Sequence, residues 1–259
     1  MSTLSSLISG GGGALPQIAL TQSQTWVPPQ DGNVCIHVIG GGGAGRSDNS
    51  VQYSGGAGGY CKKNSLAVTT SGSYTVVVGV GGPRGRNIST PTSGGNSTVA
   101  GTGLSSTLTA NGGVSGASGH GAGGSALNGD VNNTGAAGNG GGGGAVGVYG
   151  TGATGVAQVC GGQSDASGGG LPMSGFGHIV GGNAGAYNTG VNTIGGAAVD
   201  AGDLSGGGAA DESNSFAFIV AGNGGIGGGG GYAKNGSGGA YAVHGAGGDG
   251  LVLIQYLPS

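Results

Sequence analysis

Apolar and polar positions alternate most clearly in Val34-Cys-Ile-His-Val-Ile39, where Val34, Ile36 and Val38 share one face and Cys35, His37 and Ile39 the other. A period of two is the signature of a strand. Ser65–Thr70 and Tyr74–Val80 are further β-branched runs bounded by glycine, and Ser71-Gly72 supplies the turn between them. Weaker strands are expected at Ser97–Ala100, Leu104–Ala110 and Ser215–Val220. The closing segment Gly250-Leu-Val-Leu-Ile-Gln-Tyr256 is apolar on both faces apart from Gln255, which predicts a central strand. A good strand near each end of the chain predicts that the two meet. No stretch carries a helical period. The expected fold is mainly β, with a small sheet or sandwich framework.

Between the strands lies glycine, 74 of 259 residues, about four times its usual share. Glycine loses the most freedom on folding, so an ordered state needs dense backbone hydrogen bonding in return. Polyproline II strands have no internal hydrogen bonds and offer every N–H and C=O to neighbours. A bundle of such strands (polyglycine II) is the expected partner of the β framework. Runs such as Gly40–Gly43, Gly141–Gly144 and Gly227–Gly231 break the strict period of collagen. Residues 1–15 read as an attachment or oligomerisation leader and 16–259 as one glycine-rich β domain. Within it, framework strands are expected in 16–110 and 250–257, around a glycine-rich excursion over 111–249.

Charge changes the picture mainly by exclusion. Only 6% of residues are charged and the net charge is −3. Lys62-Lys63 and Arg84/Arg86 are too few for a nucleic-acid footprint. The opening Met1–Gly10 lacks a basic segment, and no run of about 18 apolar residues occurs, so neither a secretory signal nor a membrane helix is expected. Cys35, Cys61 and Cys160 form no disulfide framework and are expected as reduced, packed thiols.

Gly40-Gly-Gly42-Gly-Ala-Gly45 satisfies G-x-G-x-x-G directly after a strand. A dinucleotide turn needs a helix to follow and an acidic residue about 20 positions on, and the sequence offers neither. Walker and nucleophile-elbow motifs are absent. His37 is expected on a strand, and His120, His178 and His244 in loops, none of them beside a recognisable catalytic or metal partner. Asp200/Asp203 and Asp211-Glu212 read as solvated loop charges. Catalytic residues, metal ligands and cofactors are therefore not expected.

Aromatic residues are more informative. Trp26 is expected to anchor the β core. Tyr60, Tyr232 and Tyr241 lie in or beside glycine runs, where a ring either covers backbone or recognises a ligand. Aromatics on short inserts bury large area at low rotamer cost, which suits recognition of sugars or protein loops. Candidate contacts are Asp48, Tyr53, Tyr149, Phe176, His178, Tyr187, Phe216 and Phe218. They fall in inserts at 46–54, 145–160, 171–180, 186–194 and 209–218.

Thr25-Trp-Val-Pro-Pro29, Gly55-Gly-Ala-Gly-Gly-Tyr60, Gly94-Gly-Asn-Ser-Thr98, Thr109-Ala-Asn-Gly-Gly113 and the closing Gly247–Tyr256 follow one another in a set order. In that order they resemble the glycine-rich domain of phage tail-fibre proteins. The chain is also similar in style to polyglycine-helix adhesins at fibre tips, although it has stronger framing strands and no recognisable fibre-docking domain. The resemblance implies a non-enzymatic tail-fibre adhesin of the virion, made in the host cytoplasm. Its partners would be a host-surface glycan or outer-membrane protein and other fibre subunits, in a homotrimer, without membrane insertion. A structural shaft or extracellular filament subunit is the alternative. An ice-binding protein would need regular repeats that the inserts break. A glycan depolymerase would need a carboxylate pair in a strand context.

Overall fold

The structure is a computed structural model. It describes residues 16–48, 53–86, 89–139, 141–146, 154, 188–189, 210–211, 219–234 and 242–258. Among these residues there is no helix, and strands are numbered β1 to β17 along the chain. Ten of them build two antiparallel sheets. The first runs β1 (Gln17–Leu20), β17 (Leu251–Tyr256), β3 (Gly32–Ile39), β5 (Tyr60–Val68), β11 (Val131–Asn133). The second runs β10 (Ala126–Leu127), β9 (Leu108–Ala110), β8 (Ser97–Gly101), β6 (Tyr74–Val77), β2 (Gln24–Trp26).

The alternation read from the sequence explains why the two sheets stack. Val34, Ile36 and Val38 of β3 join Val252 and Ile254 of β17 and Ile18 and Leu20 of β1. These residues meet Val76, Val99 and Leu108, which lie in one register row of the second sheet. Trp26 is 6% exposed and its ring lies 5.1 Å from that of Tyr74, closing one end of this core. The first and last strands do meet, because β1 pairs with β17 from Gln17↔Gln255 to Leu20↔Val252. β17 is central, flanked by β1 and β3.

Beyond the sandwich the strands run on into glycine tracts, and the hydrogen bonding changes period. From Gly40 to Gly45 the N–H groups point in three directions in turn. Gly40 and Gly43 donate to Gly59 and Gly56; Gly41 and Ala44 to Gly95 and Thr92; Gly42 and Gly45 to Gly248 and Gly245. Residues three apart therefore share a neighbour, the three-fold repeat of a polyproline II helix. The carbonyls fill the remaining directions. Those of Gly41 and Ala44 accept from Gly113 and Gly116, those of Gly43 and Arg46 from Gly230 and Ala233, and that of Gly42 from Gly82. Tract 40–46 is thus ringed by six others.

Tract 54–59 is ringed in the same way. It donates to Gly230 and Gly227, to Val114 and Asn111, and to Ala136. It accepts from Gly121 and Gly124, from Gly143, and from Gly43 and Gly40. The two rings share members, and their tracts stack in three rows, with tract 221–225 packed against the third. The middle row is 79–82, 40–46, 54–59, 135–138. The outer rows are 92–95, 111–116, 121–125 and 245–250, 227–233, 141–146. This is the hydrogen-bonded polyglycine II bundle expected from the composition.

Six neighbours leave no room for a Cβ. One built on Gly42, Gly43, Gly55 or Gly58 would lie inside 3.0 Å of a neighbouring backbone carbonyl. Ala44, fully buried, fits because Gly82 opposes its methyl group. At the perimeter, where a neighbouring tract is missing, side-chain oxygens replace the absent carbonyls. Asn96 Oδ1 accepts from Gly112 N at 2.9 Å, Ser93 Oγ from Ser115 N at 3.0 Å, Asn223 Oδ1 from Ala246 N at 2.9 Å and Asp249 Oδ1 from Gly81 N at 2.7 Å. Asp249→Ala strips the Gly81 amide of its acceptor and is expected to cost about 1–2 kcal/mol in chemical denaturation, with Asp249→Asn recovering most of it.

Candidate recognition surface

Chain direction gives the molecule two poles. β3 leads from the sandwich into tract 40–46, and tract 54–59 returns into β5. Tract 79–82 runs out and 92–95 back in the same sense, as do 111–116 and 121–125, and 227–233 and 245–250. The turns at 69–73, 102–107 and 128–130 lie at the sandwich pole, with Pro16 and Leu257 beside the end of β17. The short strands that continue the tracts away from the sandwich lie at the opposite pole.

Short strands gather there. β12 (Asn188–Thr189), β13 (Ala210–Asp211), β15 (Ala233–Lys234) and β4 (Ser47–Asp48) form a parallel sheet from four distant parts of the chain. One register row reads Thr189, Asp211, Lys234, Asp48, so a basic position falls between two acidic ones. A second sheet joins β14 (Ile219–Val220), β16 (Ala242–His244) and β7 (Gly85–Arg86). Beneath these strands Ala221, Ala233 and Ala242 pack in a small cluster.

Of the sequence-derived candidates, Tyr53 is placed here with its side chain. Arg46 N donates to Tyr53 O at 2.8 Å. The Arg46 guanidinium lies 5.8 Å from the Tyr53 ring centre and donates from Nη1 to Ala117 O at 2.6 Å. His120 packs edge-on against the same ring, 5.4 Å between centres at 77°. The result is a half-buried phenol steadied by a cation and an imidazole. Partial desolvation holds His120 below the usual imidazole value. Asp48 is placed by its backbone, in β4. Tyr149, Phe176, His178, Tyr187, Phe216 and Phe218 lie outside the described residues, as do Cys160 and Tyr241. Sequence reasoning missed that Arg46 and His120 are partners of Tyr53. The available signal was position, since each sits at the mouth of a glycine tract.

Among the described residues two histidines are buried. His244 lies on β16, not in a loop as expected, because Val243 and His244 pair with Arg86 and Gly85. Its Nδ1–H donates to Gly245 O at 3.2 Å, and burial lowers its pKa, with Arg84 adding to the shift. His37 is on β3 as expected, at the centre of a polar cluster on the sheet face that points away from the sandwich core. His37 Nε2–H donates to Gln255 Oε1 at 2.9 Å, which fixes the tautomer, so Tyr60 O–H donates to Nδ1 at 2.7 Å. Cys35 Sγ lies 3.3 Å from Nε2.

Desolvation drives His37 down to about 4, raises Cys35, and pushes Tyr60 far above the usual phenol range. Cys35, His37 and Tyr60 are therefore held neutral, and Nε2 already carries its proton. The chemistry is that of a packed hydrogen-bond network, distinct from a thiolate–imidazolium pair. Cys61 is also a free thiol; it lies in the sandwich core, and burial pushes it up to about 11. Tyr60 and Tyr232 are fully buried, which assigns both rings to packing.

The amides of Gly40–Gly45 are all spent on neighbouring carbonyls, and β4 follows the tract, so this glycine run is built as a bundle strand and has no amides left to cradle a phosphate. Among the described residues no group of three or more histidine, cysteine or acidic side chains is placed to hold a metal ion. With no helix among the described residues, none is long and apolar enough to cross a membrane.

No curated protein matches the sequence. The family described as glycine-rich domain matches residues 18–257, a span that opens in β1 and closes just past β17 and so takes in both sheets and the whole bundle. The chain belongs to this glycine-rich domain family.

Proposed function

We propose that the protein is a phage or phage-like tail-fibre adhesin, in which the sandwich and bundle form a rigid mount for loops that bind a host-surface glycan or outer-membrane protein. The observation that carries this reading is the two-pole arrangement. Segments 47–48, 188–189, 210–211 and 233–234 converge at the pole opposite Pro16 and Leu257. Attachment at the sandwich pole then leaves the opposite pole pointing outward. The Tyr53–Arg46–His120 group supports it further, because a steadied aromatic edge loses little entropy on binding. Virion location, fibre-subunit partners and three-fold assembly belong to the same reading, and many copies per particle multiply weak single contacts.

Binding of purified protein to bacteria, with and without surface polysaccharide, tests the reading. Tyr53→Ala is expected to lower binding by about ten-fold or more, as hot-spot aromatics do, with the melting temperature within a few degrees of wild type. Unchanged binding by Tyr53→Ala and by a chain with 47–52 replaced by Gly-Ser favours the second reading, a shaft or filament subunit, which the extensive backbone bonding of the bundle equally suits.

A further inference from the structure

One broad face formed by the described residues carries no charge. It is made by the outward side of the second sheet and the tracts that continue it. Segments 74–82, 92–101, 108–116 and 121–127 lie side by side and hold no Asp, Glu, Lys, Arg or His. Their one aromatic, Tyr74, is fully buried. The outward register row reads Val77, Thr98, Thr109, Leu127, and the next reads Thr25, Thr75, Ala100. Val77 is 39% exposed, Val80 70%, Val114 47% and Leu127 53%, so four of the five large exposed hydrophobics among the described residues lie on or beside this face.

We propose that this face is the contact between two copies of the chain, related by a two-fold axis. Two-fold pairing sets each patch against itself, so a charged patch would meet its own charge and a neutral one does not. The face is built from short side chains on parallel rows, the form in which sheets stack at about 10 Å. Two of its perimeter amides, those of Gly112 and Ser115, are already satisfied by Asn96 and Ser93, so a partner there has only to bury side chains. Four segments of about seven to ten residues, spaced about 4.8 Å apart, give an area of roughly 550 Å² per copy, about 1,100 Å² for the pair, just above the limit for a specific contact and in the range of a reversible dimer. A glycan is the poorer fit, since the face offers neither an exposed ring nor a carboxylate to hold sugar hydroxyls. This inference does not depend on host binding, and it sets a two-fold contact against the three-fold assembly of the adhesin reading, which the size of the oligomer distinguishes.

Sedimentation equilibrium of the whole chain tests it. Wild type is expected to dimerise reversibly at concentrations around 100 µM, as an interface of this size allows. Val80→Lys/Val114→Lys sets like charges across the axis and is expected to weaken the dimer at least ten-fold. Both sites are exposed, so the melting temperature should stay within a few degrees of wild type. Lys62→Glu, on the other sheet, should leave association unchanged. A wild type that stays monomeric at every concentration overturns the proposal, whatever else the face then proves to hold. So does a folded double variant that dimerises as wild type does, or a trimer that the double variant leaves intact.

Discussion

Gly42→Val is expected to unfold the protein or lower its melting temperature by more than about 10 °C, whereas Gly119→Ala should leave it unchanged or slightly raised. Gly42 is ringed by backbone. A Cβ there would meet the carbonyl of Gly228 inside 3.0 Å, and nothing flexible is present to move aside. Either tract 40–46 or tract 227–233 must shift, and the shift breaks Gly42 N→Gly248 O, Gly82 N→Gly42 O and Gly248 N→Gly228 O together. Overpacking at about 1–3 kcal/mol and three bonds at about 1 kcal/mol each amount to roughly half the stability of a typical domain. Gly119 has nothing within 4 Å of its Cβ position. Alanine there removes only unfolded-chain freedom, a gain of about 0.4–1 kcal/mol. Thermal unfolding of the pair, each against wild type, separates glycine required by close approach from glycine that merely fills a loop.

Acid is expected to destabilise the fold through His37 before it reaches the carboxylates. The folded-state pKa of His37 is lowered to about 4 by burial, against 6.5 in the unfolded chain. Between those values the unfolded chain holds the extra proton, so stability rises with pH across the window. The contribution is complete above pH 6.5, falls as pH falls, and is lost below about 4, for a total of about 3 kcal/mol. His244, also lowered by burial, acts in the same direction. Denaturation from pH 7.5 to 4 should therefore show falling stability. His37→Leu should start lower, since it leaves Tyr60 O–H and Gln255 without their partner, but should lose less on acidification. A variant with the wild-type slope would remove His37 from the account.

The framework was legible because its strands carry side chains. Val34, Ile36 and Val38 announce the buried face of β3, and Leu251–Tyr256 announces a strand covered on both sides. Where strand gives way to tract was not legible. Tyr74–Val80 reads as one β-branched run, yet pairing with β8 ends at Val77. Past it the Val78 and Gly79 amides turn to Ser23 Oγ and Ser97 Oγ, the residues at which the three-fold pattern takes over. A run of valines cannot signal that change, because it is set by neighbours 18 and 55 residues away. β5 shows the reverse. It starts at Tyr60, ahead of the expected Ser65, because Ile39 and Val38 of β3 pair with Tyr60 and Cys61.

At the loop-bearing pole the strands are two or three residues long, too short for any alternation, and three of those in the parallel sheet lie within or beside glycine-rich inserts. Only tertiary pairing creates them. Tyr53 could be nominated from composition; its setting between Arg46 and His120 depends on tracts 40–46, 54–59 and 111–125 lying side by side. That arrangement follows from the three-fold bonding, and which tract pairs with which is not written in a sequence whose tracts are so alike in glycine.

Amide hydrogen exchange on the native protein is the most direct test of that bonding. The amides of Gly41, Gly42, Gly43, Gly56 and Gly58 should exchange as slowly as those of Ile36 and Ile254 in the sandwich, opening only when the whole domain unfolds. Exchange of these glycines at the rate of open loops, with the sandwich strands still protected, would contradict the account, because the loops would then stand on no rigid mount.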